Sequence, residues 1–154
     1  MMVKRLEFDH GLEEITQLLI EMGNRAETAL TESMNALKNV DVDTAKRIVK
    51  SDSELNQLEE KVSEIGAKLI ATQQPVAKDL RRILIAFKIS SDLERMGDLA
   101  VDIAKVVIRL DGQPLIKPLL DLPRMADIVA VMIQESLQSY VDENVDLAYK
   151  SAKD

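Results

Sequence analysis

Glu94, Asp98 and Asp102 stand four and four residues apart. On an α-helix this spacing puts three carboxylates in one stripe, with neighbouring Cβ atoms roughly 5–6 Å apart and the stripe spanning about 80°. Like charges at i, i+4 repel by roughly 0.2–0.5 kcal/mol per pair. Such a stripe therefore calls for a cation or for nearby bases. A second set, Asp52, Asn56 and Glu59, lies at i, i+4 and i+7, again on one helical face. If the two helices are neighbours, the second set can complete an oxygen-lined site with Glu94 and Asp98. Oxygen donors with no Cys or His suit Mg, Ca, Mn or iron. The alternative is an ordinary solvated face, with Arg95 and Lys105 beside the stripe and Asp52 and Glu59 paired to Lys50, Lys61 or nearby arginines.

The remaining candidates are weaker. Leu93, Met96, Ala100, Ile103 and Val107 lie roughly opposite the stripe, so the carboxylates face outward rather than into a core. Gly97 interrupts the same helix at a cost of about 1 kcal/mol relative to Ala. Like Gly23 and Gly66, it reads as a point of close helix–helix contact. Asp79 suits a helix start, where it complements the dipole. Arg81 and Arg82 form a pair that could meet phosphate, as any exposed arginine pair could. His10 is the single histidine and falls near the start of a helix. A carboxylate-bridged di-iron oxidase needs two Glu-x-x-His motifs on core-facing helices, and one histidine cannot supply them. There is no nucleophile–His–acid set and no Gly-rich phosphate loop. Nothing reads as a catalytic site.

The elements that must carry these residues follow from composition and period. Of the 154 residues, 46% are hydrophobic but only 3% aromatic, with no Trp. A core of Leu, Ile, Val, Met and Ala favours helix on helix. The net charge of −7 argues against a nucleic-acid grip and against anionic lipid. The absence of Cys excludes disulfides and thiolate metal sites. No apolar run reaches the length of a membrane span, and MMVKRLEFDHG lacks a secretion signal's apolar region. The expectation is a soluble, cytoplasmic protein.

A helical period predicts a first helix over about 9–38, with Leu12, Ile15, Leu19, Met22, Ala26, Leu30 and Leu37 on one stripe. A turn at Asn39–Asp43 follows, with Asp41 or Asp43 as cap. The second helix is predicted to about Thr72, and Pro75 marks its boundary with a third over about 76–110. Pro118 and Pro123 delimit a fourth over about 119–141, and a fifth begins near Val145. Three long helices joined by short turns imply an all-α antiparallel bundle, up-down-up.

An internal repeat is visible at an offset of 103. Glu32-Ser33-Met34-Asn35 matches Glu135-Ser136-Leu137-Gln138, Val42-Asp43 matches Val145-Asp146, and Met22, Ala45 and Lys50 match Met125, Ala148 and Lys153. The register predicts a duplicated three-helix unit: 1–110 as the first, 111–118 as linker and 119–154 as an incomplete second. A complete second copy would carry the chain to about residue 213. The expectation is then a shortened second unit, whose fourth helix carries an apolar face (Leu119, Leu122, Met125, Val129, Met132, Ile133, Leu137) that seeks another chain. A homo-oligomer is expected, by exchange of that helix.

The string Leu93-Glu94-Arg95-Met96-Gly97-Asp98 resembles the Leu-Glu-Arg-x-Gly-Asp signature of the PhoU family. Gln74-Pro75-Val76-Ala77, Asp79-Leu80-Arg81, Asp52, Asn56, Leu58-Glu59 and Met22-Gly23 are similar to that family's pattern too. The resemblance implies two tandem three-helix units and a non-enzymatic negative regulator. Such a regulator works with a phosphate ABC transporter and a sensor histidine kinase to hold down the phosphate-starvation response. It also implies surface carboxylates that bind divalent or trivalent metal ions (iron, Mn, Zn or Mg) in multinuclear clusters. Carried over, Glu94 and Asp98 are the leading ligands, with Asp102, Asp52, Asn56 and Glu59 behind them. The second unit's metal motif is absent from this chain.

Overall fold

The computed structural model describes residues 2–111, 113 and 121–153. Five helices follow one another: α1 (Met2–Asn39), α2 (Val42–Lys50), α3 (Asp52–Gln73), α4 (Ala77–Leu110) and α5 (Asp121–Lys153). Among the described residues there is no strand, and no helix is long and apolar enough to cross a membrane.

Directions follow from which residues meet. Arg5 reaches Asp79, so α1 and α4 start at the same end. Gln73 reaches Glu7 and Arg25 reaches Glu54, so α3 runs against α1. Gln134 reaches Glu27 and Leu137 lies against Gly23, so α5 also runs against α1. The result is the expected antiparallel bundle with α5 returning along it. The predicted α1 stripe is the core: Leu12, Ile15, Leu19, Met22 and Ala26 are buried against Leu58, Val62, Ile83, Ala86 and Leu93 of α3 and α4.

The turn after α1 is a Schellman motif. Asp41 N–H donates to Ala36 C=O at 2.8 Å and Val40 N–H to Leu37 C=O at 3.4 Å. Val40 holds φ 50°, a left-handed backbone that a β-branched residue rarely adopts. Asp41, not Asp43, is the cap: its carboxylate accepts from Thr44 N–H at 3.2 Å and Thr44 Oγ1 at 2.6 Å. Those bonds, with Arg47 nearby, hold the Asp41 carboxyl below its usual range.

Three predicted boundaries are corrected. The first helix begins at Met2 rather than about residue 9. The single second helix is broken at Ser51, which ends α2 and caps α3 at φ −87°, ψ 6°. Its Oγ donates back to Ile48 C=O at 2.9 Å, a local bond that competes with regular helix. The break lets α2 lie over the far half of α4, burying Ala45 and Ile48 against Val101, Ala104 and Val107. In the second half, no new helix begins near Val145, because α5 runs unbroken from Asp121 to Lys153. Gln138 donates to Asp142 at 2.8 Å across the stretch where the turn was expected. Neither Pro nor Gly stands between Arg124 and Lys153 to stop it. Pro123 sits in the first turn of α5, where proline is tolerated. Leu119, Pro118 and most of the expected linker lie outside the described residues.

The fourth predicted helix is also better partnered than expected. Ile133 and Tyr140 are buried, and Val129 and Leu137 pack half-buried on the main core. Leu122, Met125, Ile128, Val131 and Met132 remain exposed.

Candidate metal centre

The stripe on α4 and the face of α3 do meet, and Gly97 is a large part of the reason. A methyl on Gly97 would overlap Leu55 Cδ1, so the bare backbone lets α3 seat Leu55 directly against α4. Gly23 is the same kind of contact, with Leu137 of α5 lying over it. Leu55 is buried, and the residues around it on α3 turn toward Glu94 and Asp98.

The centre of the site is Glu94. Its side chain is partly buried on α4. Desolvation raises its carboxyl above the usual range, and the charges of Asp98, Glu59 and Asp52 raise it further. Asp98 stands one turn on from it along α4, close enough for the two carboxyls to interact. Among the described residues, none of Asp52, Glu59, Glu94, Asp98 or Asp102 has a basic partner within salt-bridge distance. The neighbours expected to neutralise the stripe, Arg95, Lys105, Lys50 and Lys61, make no such bridge there. Asp52 has a smaller compensation, because it opens α3 and faces the positive end of the helix dipole.

A cleft of about 370 Å³ lies over these carboxylates. Its walls are Glu94, Gly97, Asp98 and Val101 from α4, Asp52, Glu54 and Leu55 from α3, Arg47 and Ile48 from α2, and Asn24, Arg25, Thr28, Ala29 and Glu32 from α1. Arg25 closes one side, bonding Glu54 across to α3 and Glu21 at 3.2 Å on its own helix.

Of the six residues singled out by spacing, Asp52, Glu94 and Asp98 line the cleft. Glu59 stands outside it but acts on Glu94 through its charge. Asn56 and Asp102 are exposed and line no part of it. Asp102 is one turn too far along: beyond Asp98 the neighbour of α4 is the apolar face of α2, not the polar face of α3. The α1 wall was not anticipated. Asn24, Thr28 and Glu32 are themselves spaced four and four, the signal that singled out α4.

The donors are all oxygen, which fits a hard cation. Among the described residues no three Asp, Glu, His or Cys side chains converge at ligating distance, so the chain presents a carboxylate pair with flanking charges rather than a formed cage. His10 is remote, paired with Glu14 at 3.3 Å near the start of α1.

Fold and cleft together define an all-helical bundle protein with a polar cleft between its helices, lined by carboxylates and by Arg25 and Arg47. The PhoU domain model matches residues 19–107. The phosphate-specific transport system accessory protein PhoU homolog of Clostridium acetobutylicum is 40% identical over 147 residues, covering 95% of this chain and 67% of that protein. The homolog of Aquifex aeolicus is 36% identical over 139 residues, covering 90% and 63%. The accessory protein PhoU of Escherichia coli is 29% identical over 144 residues, covering 94% and 60%. The chain belongs to the PhoU family. It spans roughly three-fifths to two-thirds of the length of these relatives.

Proposed function

We propose that this chain is a non-enzymatic, cytoplasmic regulator of phosphate transport and of phosphate-starvation signalling, acting by protein–protein contact and tuned by a metal ion. Membership of the PhoU family supports the first part, since the curated relatives are named as accessory proteins of the phosphate-specific transport system. The partners in this reading are a phosphate ABC transporter and a sensor histidine kinase, met without insertion into the membrane and without nucleic acid.

The observation that carries the metal is the state of Glu94: partly buried, facing three carboxylates, and without a salt-bridged base. Glu94 and Asp98 would hold the ion, with Asp52 and Glu59 supplying charge beside it and Asn56 and Asp102 at the margin. A bound divalent or trivalent ion (iron, Mn, Zn or Mg) supplies positive charge beside Glu94 and Asp98, which the cleft's arginines do not bridge. Relieved of repulsion, the existing contact of α3 and α4 through Leu55 and Gly97 is stabilised and presents one shaped face to a partner.

The test is calorimetry on chelator-stripped protein. Metal at 100 times its dissociation constant adds about 2.7 kcal/mol of stability, which is a melting-temperature rise of a few degrees. The rise is expected to vanish in Glu94→Gln/Asp98→Asn. If wild type and double variant respond alike to every metal, the metal role is wrong. A second reading, a helical interaction module with no metal role, is favoured by the lack of three converging ligands. In that reading the double variant is more stable than wild type and added metal does nothing to either.

A further inference from the structure

Arg82 is the one charged side chain buried among the described residues, at 3% exposed. Its neighbour Arg81 is exposed, so the pair expected on the surface is split, and Arg82 turns under α5. There its Nη2 donates to Tyr140 C=O at 3.4 Å, and its guanidinium carbon lies 5.2 Å from the Tyr140 ring centroid. Its Nε and Nη1 are buried with no hydrogen-bond partner among the described residues.

These contacts all depend on α5. A guanidinium taken out of water loses much of its hydration, and an isolated charge recovers that loss only with full hydrogen bonding. Arg82 recovers one long hydrogen bond and one cation–π contact. With α5 lifted, water reaches the guanidinium and all five donors are served. Docking is driven by the apolar contacts of Val129, Ile133 and Leu137, the last seated on Gly23. Gln134 bonded to Glu27 at 3.0 Å adds a polar tie at the rim. The buried arginine works against all of these.

We propose that α5 is a releasable helix, held on α1 and α4 below saturation by the desolvation of Arg82. It leaves its berth in a local opening distinct from global unfolding. The opening uncovers the α1 surface at Gly23 and the α4 surface at Ile85 and Ile89 for as long as α5 is away. The core of α1, α3 and α4 stays closed.

The experiment is native-state amide hydrogen exchange on the whole chain, for wild type, Arg82→Met and Tyr140→Leu. In wild type, amides of residues 129–140 are expected to exchange at least tenfold faster than those of residues 15–22, with a shallower dependence on denaturant. Arg82→Met is expected to slow exchange in α5 at least tenfold while leaving α1 unchanged. Tyr140→Leu removes the ring beneath the guanidinium and speeds α5. Equal protection and equal denaturant slopes in α5 and α1 would overturn the proposal, as would faster α5 exchange in Arg82→Met, which makes the arginine an anchor. The wild-type comparison decides by itself if the arginine variant does not fold.

Discussion

Glu94 is the residue on which the site turns, and its response to pH has a definite sign. Its folded-state pKa is raised, first by desolvation and then by Asp98, Glu59 and Asp52. The stability it contributes is therefore complete below the ordinary glutamate value and is lost as pH rises through the folded value. In chelator-stripped protein Glu94→Gln should match wild type in acid and exceed it at neutral pH. Denaturant unfolding at the two pH values checks this, and equal stability at both means the carboxylates do not interact. Val40 offers a second residue-scale prediction. It is a β-branched residue at φ 50° in the C′ position, where glycine is the usual choice. Val40→Gly should raise stability by about 1 kcal/mol, the relief of left-handed backbone strain less the added chain entropy. Urea midpoints of the two proteins decide it.

At the scale of elements, periodicity made most of the bundle legible. The stripe from Leu12 to Ala26 located α1, the choice of Asp41 or Asp43 as cap bracketed the start of α2, and Pro75 fell in the connection between α3 and α4. What periodicity could not reach was competition between local and tertiary contacts. Ser51 lies in a run whose apolar spacing continues through it, and only the packing of Ala45 and Ile48 on α4 makes a break there favourable. Asp142 to Asn144 aligns with the turn at Asn39 to Asp41, yet nothing in that stretch stops a helix, and α5 continues. The same limit separates the two arginines. Arg81 and Arg82 are identical in type and adjacent, and only the position of α5 buries one of them. For the cleft, Glu94, Asp98 and Asp52 were visible from spacing because repulsion along one helix can be read from one helix. The α1 wall belongs to a third element whose facing depends on the crossing geometry.

At the scale of the whole molecule, the relatives are longer and the described surface of α5 is half covered. Leu122, Met125, Ile128, Val131 and Met132 are each between 44% and 58% exposed. Contiguous apolar surface of this kind drives association, and in a solution of purified protein the available apolar partner is a second copy. The chain is expected to self-associate with rising concentration, and Met125→Gln/Ile128→Gln/Met132→Gln should hold it monomeric. Sedimentation velocity over a concentration series tests both statements, and a wild type that stays monomeric at the highest concentration rules the association out.

The cap on α2 and Glu94 of α4 answer acid in opposite directions. Asp41 has a lowered pKa through its bonds to Thr44, so its contribution is present above the ordinary aspartate value and disappears as pH falls through the folded one. Glu94 gains from the same protons. A proton thus quiets the repulsion between α3 and α4, as the proposed metal ion would, but only the proton unfastens the start of α2. Since Ile48 of α2 and Asp52 of α3 border one cleft on either side of Ser51, the two treatments leave that cleft with different walls. On the proposed metal reading, acidified protein is therefore not a stand-in for a metal-loaded form, and a partner that recognised the α2 side of the cleft would tell the two apart.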